Sequence, residues 1–440
     1  MPYKIGLISL GCAKNQVNSE QMLWLLNEAG YELRPDLDGI DVAIVNTCGF
    51  IESAKSEAID NILELAQLKQ EGKIKKIIVT GCLSQRYKDE ILNEMPEVDA
   101  ILGVGSYEEI VSAVERVMQN EIVALFGDNS APVEETDRVI TTGPGWAYIK
   151  IAEGCDNRCA YCVIPDIRGS FRSRPMENIL REAAELPGLG IKELIVVAQD
   201  ITRYGTDLYS RRALPELLEK LCTIDGIEWI RLHYLYPDEI DDELIDVIAK
   251  QDKIVKYLDI PIQHINSGIL RRMNRRGTGE EIRALFKKLR QRIPGLVLRT
   301  SLIVGLPGEG EAEFEELCDF LREHKIERAG VFPYSPEEGT PAAEMPDRCD
   351  EDEANRRCEL ICDLQSRIMD EFNDERIGDR LQVLCEGFDR LAECWYGRSY
   401  ADSPDIDGKV FFTGQGIAGR FVTVRITDVL DGDLLGEVID

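Results

Sequence analysis

The sequence predicts an α/β protein in three parts. These are an N-terminal parallel-sheet α/β domain, a central β/α barrel (partial, TIM-type) and a small C-terminal antiparallel β-barrel. Three observations carry that expectation. Short apolar runs alternate with helical patterns through most of the chain. The alternation breaks once, at 129–145 ("NSAPVEETDRVITTGPG"), where Pro, Gly and polar residues remove any period. After about residue 372 the helical period stops, and short apolar runs separated by turn residues replace it.

The first domain, residues 1–128, offers the strands "KIGLISLG", "DVAIVNT", "KKIIVTG" and "VDAILGV". Such continuous apolar runs suit a parallel sheet covered on both faces. The helical segments "NSEQMLWLLNEAG" and "ESAKSEAIDNILELAQLKQEG" lie between them, the second ending at Gly72, a natural C-cap residue. Residues 129–145 are expected to be a linker. The second domain, residues 146–371, repeats the unit with "WAYIKIAEG", "KELIVVAQD", "WIRLHYL", "YLDIPIQ", "LVLRTSLIVGL" and "RAGVFPYS" as strands. Six βα units imply a complete or partial barrel with its chemistry at the C-terminal strand ends. The third domain, residues 372–440, shows "RLQVLCEGF", "ECWYGRSYA", "KVFFTG" and "FVTVRITDVL". Its "DSPDIDGK" is only faintly like a calcium loop, because Gly414 stands where the bidentate glutamate belongs, so a hairpin turn is expected.

Composition narrows the function. No apolar run approaches the roughly 18 residues that span a bilayer, and the first residues read as a strand, not a signal peptide. A cytoplasmic protein without a membrane role is expected. Cytosolic thiols stay reduced, so the 13 cysteines are core residues or metal ligands rather than a disulfide framework. The three histidines, His233, His264 and His324, argue against a His-rich zinc or non-haem iron centre. A net charge of −30 argues against broad binding to nucleic acid and favours basic partners.

The densest chemistry is "EGCDNRCAYCVIP", where Cys155, Cys159 and Cys162 follow the first barrel strand. Three thiolates can hold three irons of a 4Fe-4S cluster and leave the fourth open, and an open metal site belongs to catalysis. S-adenosylmethionine can chelate that iron and be cleaved to a 5′-deoxyadenosyl radical. Tyr161, Gln199 and Gly305 are candidate contacts for it. Asp200, Gln263, His264 and the stretch "SLIVGLPGE" (Ser301 to Glu309) are further residues at the same strand ends. A second set, Cys12, Cys48 and Cys82, ends three successive strands: "LISLGC", "AIVNTC" and "IIVTGC". In a parallel sheet those ends share one edge, where open α/β folds bind ligands. The alternative is that these are small core residues.

Cys-x3-Cys-x2-Cys with an aromatic before the last cysteine resembles the signature of radical S-adenosylmethionine enzymes. Taken with the three-cysteine α/β domain and the terminal barrel, the whole chain resembles the methylthiotransferases of that superfamily. The resemblance implies two 4Fe-4S clusters, an auxiliary one on Cys12, Cys48 and Cys82 and a radical-generating one on Cys155, Cys159 and Cys162. It implies a C-terminal TRAM domain that helps bind substrate. It also implies that S-adenosylmethionine is used twice, once to methylate sulfur and once to open a substrate C–H bond. The other seven cysteines (222, 318, 349, 358, 362, 385 and 394) read as structural.

The family divides by substrate. "AEGCDNRCAYCVIPDIRGSFRSRP" and the Gln-His of "DIPIQHINSGILRRMNRRGT" resemble the branch that modifies the β-carbon of an aspartate in ribosomal protein S-twelve. The terminal barrel fits a basic protein, with fifteen Asp and Glu against seven Arg and Lys over 371–440. The expected partners are ribosomal protein S-twelve and an external electron donor, with nucleic acid only indirectly involved. Modification of a transfer-RNA adenosine is the alternative, and an iron–sulfur electron-transfer protein a further one. Arg271, Arg272, Arg275 and Arg276 form a local basic run that is either an RNA contact or a solvated helix face.

Overall fold

Side chains alternate between the two faces of a strand, and both faces of the first sheet are covered. Its strands are β1 (Lys4–Ser9), β2 (Glu32–Arg34), β3 (Val42–Thr47), β4 (Lys76–Gly81), β5 (Ala100–Leu102) and β6 (Val123–Leu125). They are all parallel, in the order β2-β1-β3-β4-β5-β6. On one face Ala43, Val45, Ile77 and Val79 pack against Ala58, Ile62 and Leu65 of the helix Glu52–Gln70. On the other, Val42, Ile44 and Ile78 meet Met22 and Leu26 of the helix Ala13–Glu28 and Val114 and Val117 of Ile110–Met118. Double coverage explains the unbroken apolar runs. The four expected strands are present, and the edge strands β2 and β6 add to them.

This structure is a computed structural model and describes residues 2–133 and 135–439. Next come β7 (Trp146–Lys150), a short antiparallel pair of β8 (Ala152–Glu153) and β9 (Arg172–Ser173), then β10 (Glu193–Val197), β11 (Trp229–Leu232), β12 (Ile254–Asp259), β13 (Val297–Val304) and β14 (Arg328–Pro333). Strands β7 and β10 to β14 form one six-stranded parallel sheet in sequence order, a partial β/α barrel. The final strands are β15 (Arg380–Asp389), β16 (Cys394–Arg398), β17 (Val410–Thr413), β18 (Phe421–Leu430) and β19 (Asp433–Val438). They close into a barrel in the order β15-β16-β17-β19-β18 around Val383, Cys385, Val410, Phe412, Val424 and Ile426. Strand β19 was not expected from sequence. The helix Glu351–Asp374 precedes this barrel, its N-terminus capped by Asp350, which accepts from the Asp352 amide at 3.0 Å.

Packing divides the chain into two units. One is Met1–Thr141 with Ala152–Arg174 and Glu337–Thr340; the other is Thr142–Ile151 with Pro175–Pro336 and Pro341–Asp440. The Cys155–Cys162 loop therefore packs in the unit of the first sheet. Most of the expected linker does too, and Glu20 shows why. This buried carboxylate accepts from the Thr141 amide at 2.8 Å and its hydroxyl at 2.9 Å, and pairs with Arg138. Asn129 Nδ2 donates to the carbonyls of Asp166 (3.1 Å) and Ile167 (3.0 Å). Within the expected linker, Asn129, Arg138 and Thr141 are thus tied to the rest of the unit by side-chain hydrogen bonds.

In the second unit the loop after β16 is locked under the partial barrel. Glu193, at the start of β10, takes Arg231 Nε at 2.7 Å and Arg398 Nη2 at 2.6 Å. Asp402 accepts from Arg328 at 2.9 Å, and Asp407 accepts from the Tyr257 hydroxyl at 2.6 Å. The expected hairpin turn at "DSPDIDGK" does join the antiparallel strands β16 and β17. Two of its three carboxylates, Asp402 and Asp407, however, take buried arginine and tyrosine partners, while Asp405 is exposed.

Candidate functional site

Each N-terminal cysteine stands just past the C-terminal end of a strand, and β1, β3 and β4 are hydrogen-bonded neighbours. Cys12 is the N-cap residue of Ala13–Glu28, and Cys82 opens the helix Cys82–Tyr87. Two glycines make the approach possible. Gly11, at φ +87°, lies where a Cβ would fall 2.8 Å from Cys48 Cβ and 3.3 Å from its Sγ. Gly81, at φ +99°, lies where a Cβ would fall 2.4 Å from Asn46 Oδ1 and 2.5 Å from the Thr47 carbonyl. Only glycine tolerates both that conformation and that proximity.

A buried arginine stands beside this edge. Arg168, 1% exposed, ends the helix Ile164–Arg168 that follows Cys162. One terminal nitrogen donates to Glu153 at 2.9 Å and Asn18 at 3.3 Å; the other donates to Asn15 at 2.7 Å and to Cys82 Sγ at 3.4 Å. Burial pushes the Cys12 thiol up, but Lys14 and Arg168 together hold it below its ordinary value. Burial and its two sister thiols push Cys48 up to about 12. Burial also raises Cys82, against the pull of Arg168. Cys48 and Cys82 are each pushed further up by the Cys12 thiol, so the three feel one another electrostatically. Among the described residues the buried atoms Asn46 Oδ1 and Thr80 Oγ1, on β3 and β4, and Tyr107 Oη have no hydrogen-bond partner.

The second triad lies on a tight loop in the same unit. The Cys155 amide donates to the Gly169 carbonyl at 3.1 Å, and the Cys162 amide to the Cys159 carbonyl at 3.0 Å. The Ile164 amide donates to Cys162 Sγ at 3.5 Å. Gly154, at φ +75°, lies where a Cβ would come within 2.0 Å of the Ser170 carbonyl. The loop is thereby folded back on 169–170. Val163 and Ile167 pack with Cys82, so the helix after this triad seats against the helix that Cys82 opens.

Both donor sets are thiols alone, and thiolate-only sets suit iron–sulfur clusters. Among the described residues no three His, Cys, Asp or Glu side chains gather as ligands of a single metal ion.

The other sequence candidates fall in two classes. Tyr161 is buried on the triad loop. Gln199 and Asp200 follow β10, and Gln263, at φ +70°, bridges to Leu302 of β13. Gly305 is explained by packing, because a Cβ there would lie 2.5 Å from Ala354 Cβ, while its amide donates to Glu309 at 3.0 Å. Glu309 also holds Arg357 at 2.9 Å and faces His264 Nε2 at 3.4 Å. His264 Nδ1 accepts from the Asn266 amide at 3.0 Å, which leaves the proton on Nε2, toward Glu309. Three of the four arginines of the basic run are committed. Arg275 donates to the Pro261 carbonyl at 2.7 Å over the Tyr236 ring, Arg276 pairs with Glu239 at 2.7 Å, and Arg272 donates to the Pro346 carbonyl at 3.0 Å. Cys318 and Cys385 are buried core residues, and Cys358 Sγ sits 3.6 Å from the Val331 carbonyl. Sequence reasoning missed Arg168 and Asn15. The one available signal was a charged pair, Glu153 and Arg168, flanking an otherwise metal-binding loop.

Comparison with known proteins matches 4–103 to the uncharacterized protein family UPF0004, 149–321 to the radical SAM superfamily and 377–439 to the TRAM domain. A protein of Pelotomaculum thermopropionicum named ribosomal protein uS12 methylthiotransferase RimO is 51% identical, covering 100% of both chains. One of the same name from Acetivibrio thermocellus is 49% identical over 100% of this chain and 99% of its own. The chain belongs to the RimO family of radical SAM methylthiotransferases. The superfamily uses S-adenosylmethionine and a 4Fe-4S cluster, and its methylthiotransferases carry a second cluster. The fold is also similar to that of TsrM, a radical S-adenosylmethionine methyltransferase from Kitasatospora setae (TM-score 0.57, 13% identity, 88% of this chain and 82% of that one). Among the described residues no helix is long and apolar enough to cross a membrane.

Proposed function

We propose that this chain adds a methylthio group to the β-carbon of an aspartate in ribosomal protein uS12, in the cytoplasm, with electrons from an external donor. Cys155, Cys159 and Cys162 hold the cluster that meets S-adenosylmethionine, and Cys12, Cys48 and Cys82 hold the auxiliary one. The observation that carries this reading is the union of both triads in one packing unit, with Arg168 reaching from the loop of one to the sulfur of the other.

When bound, such a cluster supplies the electron that cleaves S-adenosylmethionine and begins radical chemistry. The chain's own residues supply the rest. Gly154 and Gly169 let the triad loop fold back on itself, with the Cys155 amide donating to the Gly169 carbonyl. Val163, Ile167 and Phe50 pack an apolar wall beside the buried Cys82. The acidic terminal barrel favours a basic protein partner over RNA, and the commitment of Arg272, Arg275 and Arg276 to intramolecular partners supports the same preference.

The test is anaerobic reconstitution with reductant and S-adenosylmethionine, offering uS12 and unmodified transfer RNA, followed by mass spectrometry. A methylthio group on an aspartate peptide is expected. A methylthio-adenosine with unmodified uS12 would overturn the substrate. Cys48→Ala is expected to keep 5′-deoxyadenosine formation and lose methylthio product; normal product from that variant would overturn the auxiliary assignment.

A further inference from the structure

Arg168 and Asn15 together touch all three loops that carry the N-terminal cysteines. Asn15, 1% exposed, accepts from Arg168 through Oδ1 at 2.7 Å. Its Nδ2 donates to the Leu10 carbonyl at 3.0 Å and the Thr47 carbonyl at 2.9 Å. Leu10 precedes the Gly11–Cys12 turn, and Thr47 is bonded to Cys48. The third loop is reached directly, by the Arg168 nitrogen 3.4 Å from Cys82 Sγ. Asn46 braces the pair from below, donating to the Asn15 carbonyl and the Ser19 hydroxyl, each at 2.8 Å. Glu153 balances the guanidinium from the far side at 2.9 Å.

We infer that Arg168 is a positioning residue for the N-terminal triad, which fixes the Cys82 sulfur and, through Asn15, the Cys12 and Cys48 loops, and makes the cluster held there easier to reduce. This rests on the reading of those cysteines as cluster ligands. Hydrogen bonds to ligand sulfur are one of the controls on an iron–sulfur potential. A buried cationic donor stabilises negative charge on sulfur, and the reduced cluster carries more of it. Partners beyond the ligands commonly orient them. Because Arg168 comes from the helix after Cys162, the N-terminal site is complete only when the radical loop is folded against it.

The experiment uses the full chain with Cys155, Cys159 and Cys162 all changed to Ala, so that one cluster site remains. This parent is compared with Arg168→Lys and with the double variant Arg168→Met, Glu153→Gln, which removes both buried charges together. Each is reconstituted anaerobically with iron and sulfide. Bound iron and acid-labile sulfide are counted, and the cluster's electron paramagnetic resonance signal is followed in a potential titration. The double variant is expected to lose at least half its iron and to shift the reduction equilibrium tenfold toward the oxidised form, ~59 mV for a one-electron couple. Arg168→Lys keeps the charge but not the fork, so it should keep its iron and shift the midpoint the same way by less. Parent-like iron and midpoint in the double variant would overturn the inference. Should that variant fail to fold by circular dichroism, a parent midpoint in Arg168→Lys would overturn it instead. No iron on a parent whose circular dichroism and urea unfolding match the wild-type chain would overturn the cluster reading, and this inference with it.

Discussion

Arg398 in the second unit and Arg168 in the first are both 1% exposed, yet their surroundings differ in what is left over. Arg398 meets Glu386 at 2.7 Å through Nε, the Asp402 carbonyl at 3.2 Å and Glu193 at 2.6 Å. Arg231 shares Glu193 and finishes its valence on the carbonyls of Tyr400 (2.8 Å) and Ser399 (3.3 Å). Every nitrogen of both guanidinium groups has an acceptor, and two cations face two carboxylates. Arg168 has one carboxylate, two amides and a thiol, among orphaned acceptors and sister thiols. A closed network locks a loop in place. An open one, with sulfur as a partner, keeps capacity for something that binds there.

The contrast predicts that substitutions at the two places fail differently. The largest effect belongs to the site. Cys159→Ala is expected to drop 5′-deoxyadenosine formation to the enzyme-free background, while the unfolding free energy moves by about 1 kcal/mol at most. A variant that still cleaved S-adenosylmethionine at the normal rate would break the assignment of that loop. Next comes the lock. Glu193→Gln strips the shared carboxylate from two buried guanidinium groups and should cost about 3–5 kcal/mol in denaturant unfolding. Near-normal stability combined with lost cleavage would mean that the lock is part of the site after all. Third, Gly81→Ala tests the turn that leads from β4 into Cys82. The alanine Cβ would meet Asn46 Oδ1 and the Thr47 carbonyl at a positive φ, so a loss of about 1–3 kcal/mol is expected. Iron retained on the N-terminal triad should fall with it, because the same turn aims Cys82.

Much of this architecture was legible in the sequence because its signals are large and local. Continuous apolar runs fixed β3 and β4, and the cysteine ending each run marked the sheet edge. The short strands escaped for physical reasons. "ELR" in β2 and "VAL" in β6 are three-residue edge strands, one of them polar, and only pairing with a neighbour makes them strands. β19 is stabilised by two partners at once, β17 and β18, which no local pattern announces. The ties of Arg138 and Thr141 could not be read locally because they come from Glu20, more than a hundred residues away in the chain. Arg168 was hidden in the same way. A lone arginine in a short helix reads as surface until Asn15, Asn18, Glu153 and Cys82 converge on it. The cysteines carry their chemistry in their spacing, whereas the groups that aim them carry it only in three dimensions.

The smallest predicted effect sharpens the comparison within the lock itself. Glu193 and Glu386 both bind Arg398 but titrate in opposite directions. Burial pushes Glu193 up, yet Arg398 and Arg231 carry it below its ordinary value of 4.5. Burial lifts Glu386 above 4.5, because Arg398 alone does not offset it. A carboxylate whose folded value lies below the unfolded one stabilises the fold fully above about 4.5 and loses that contribution as pH falls toward the folded value. One whose folded value lies above it does the reverse: its ionised form weakens the fold, and protonation on the way down restores stability. In urea unfolding from pH 7 to pH 4, the advantage of wild type over Glu193→Gln should therefore hold steady and then shrink at the acid end. Relative to Glu386→Gln, wild type should instead gain as the pH falls. Subtracting each variant from wild type removes the background of the other titrating groups. Two slopes of the same sign would mean that Arg398 treats its carboxylates alike, and that the lock is a diffuse cluster of charge rather than an ordered pairing in which Glu193 takes the tighter share.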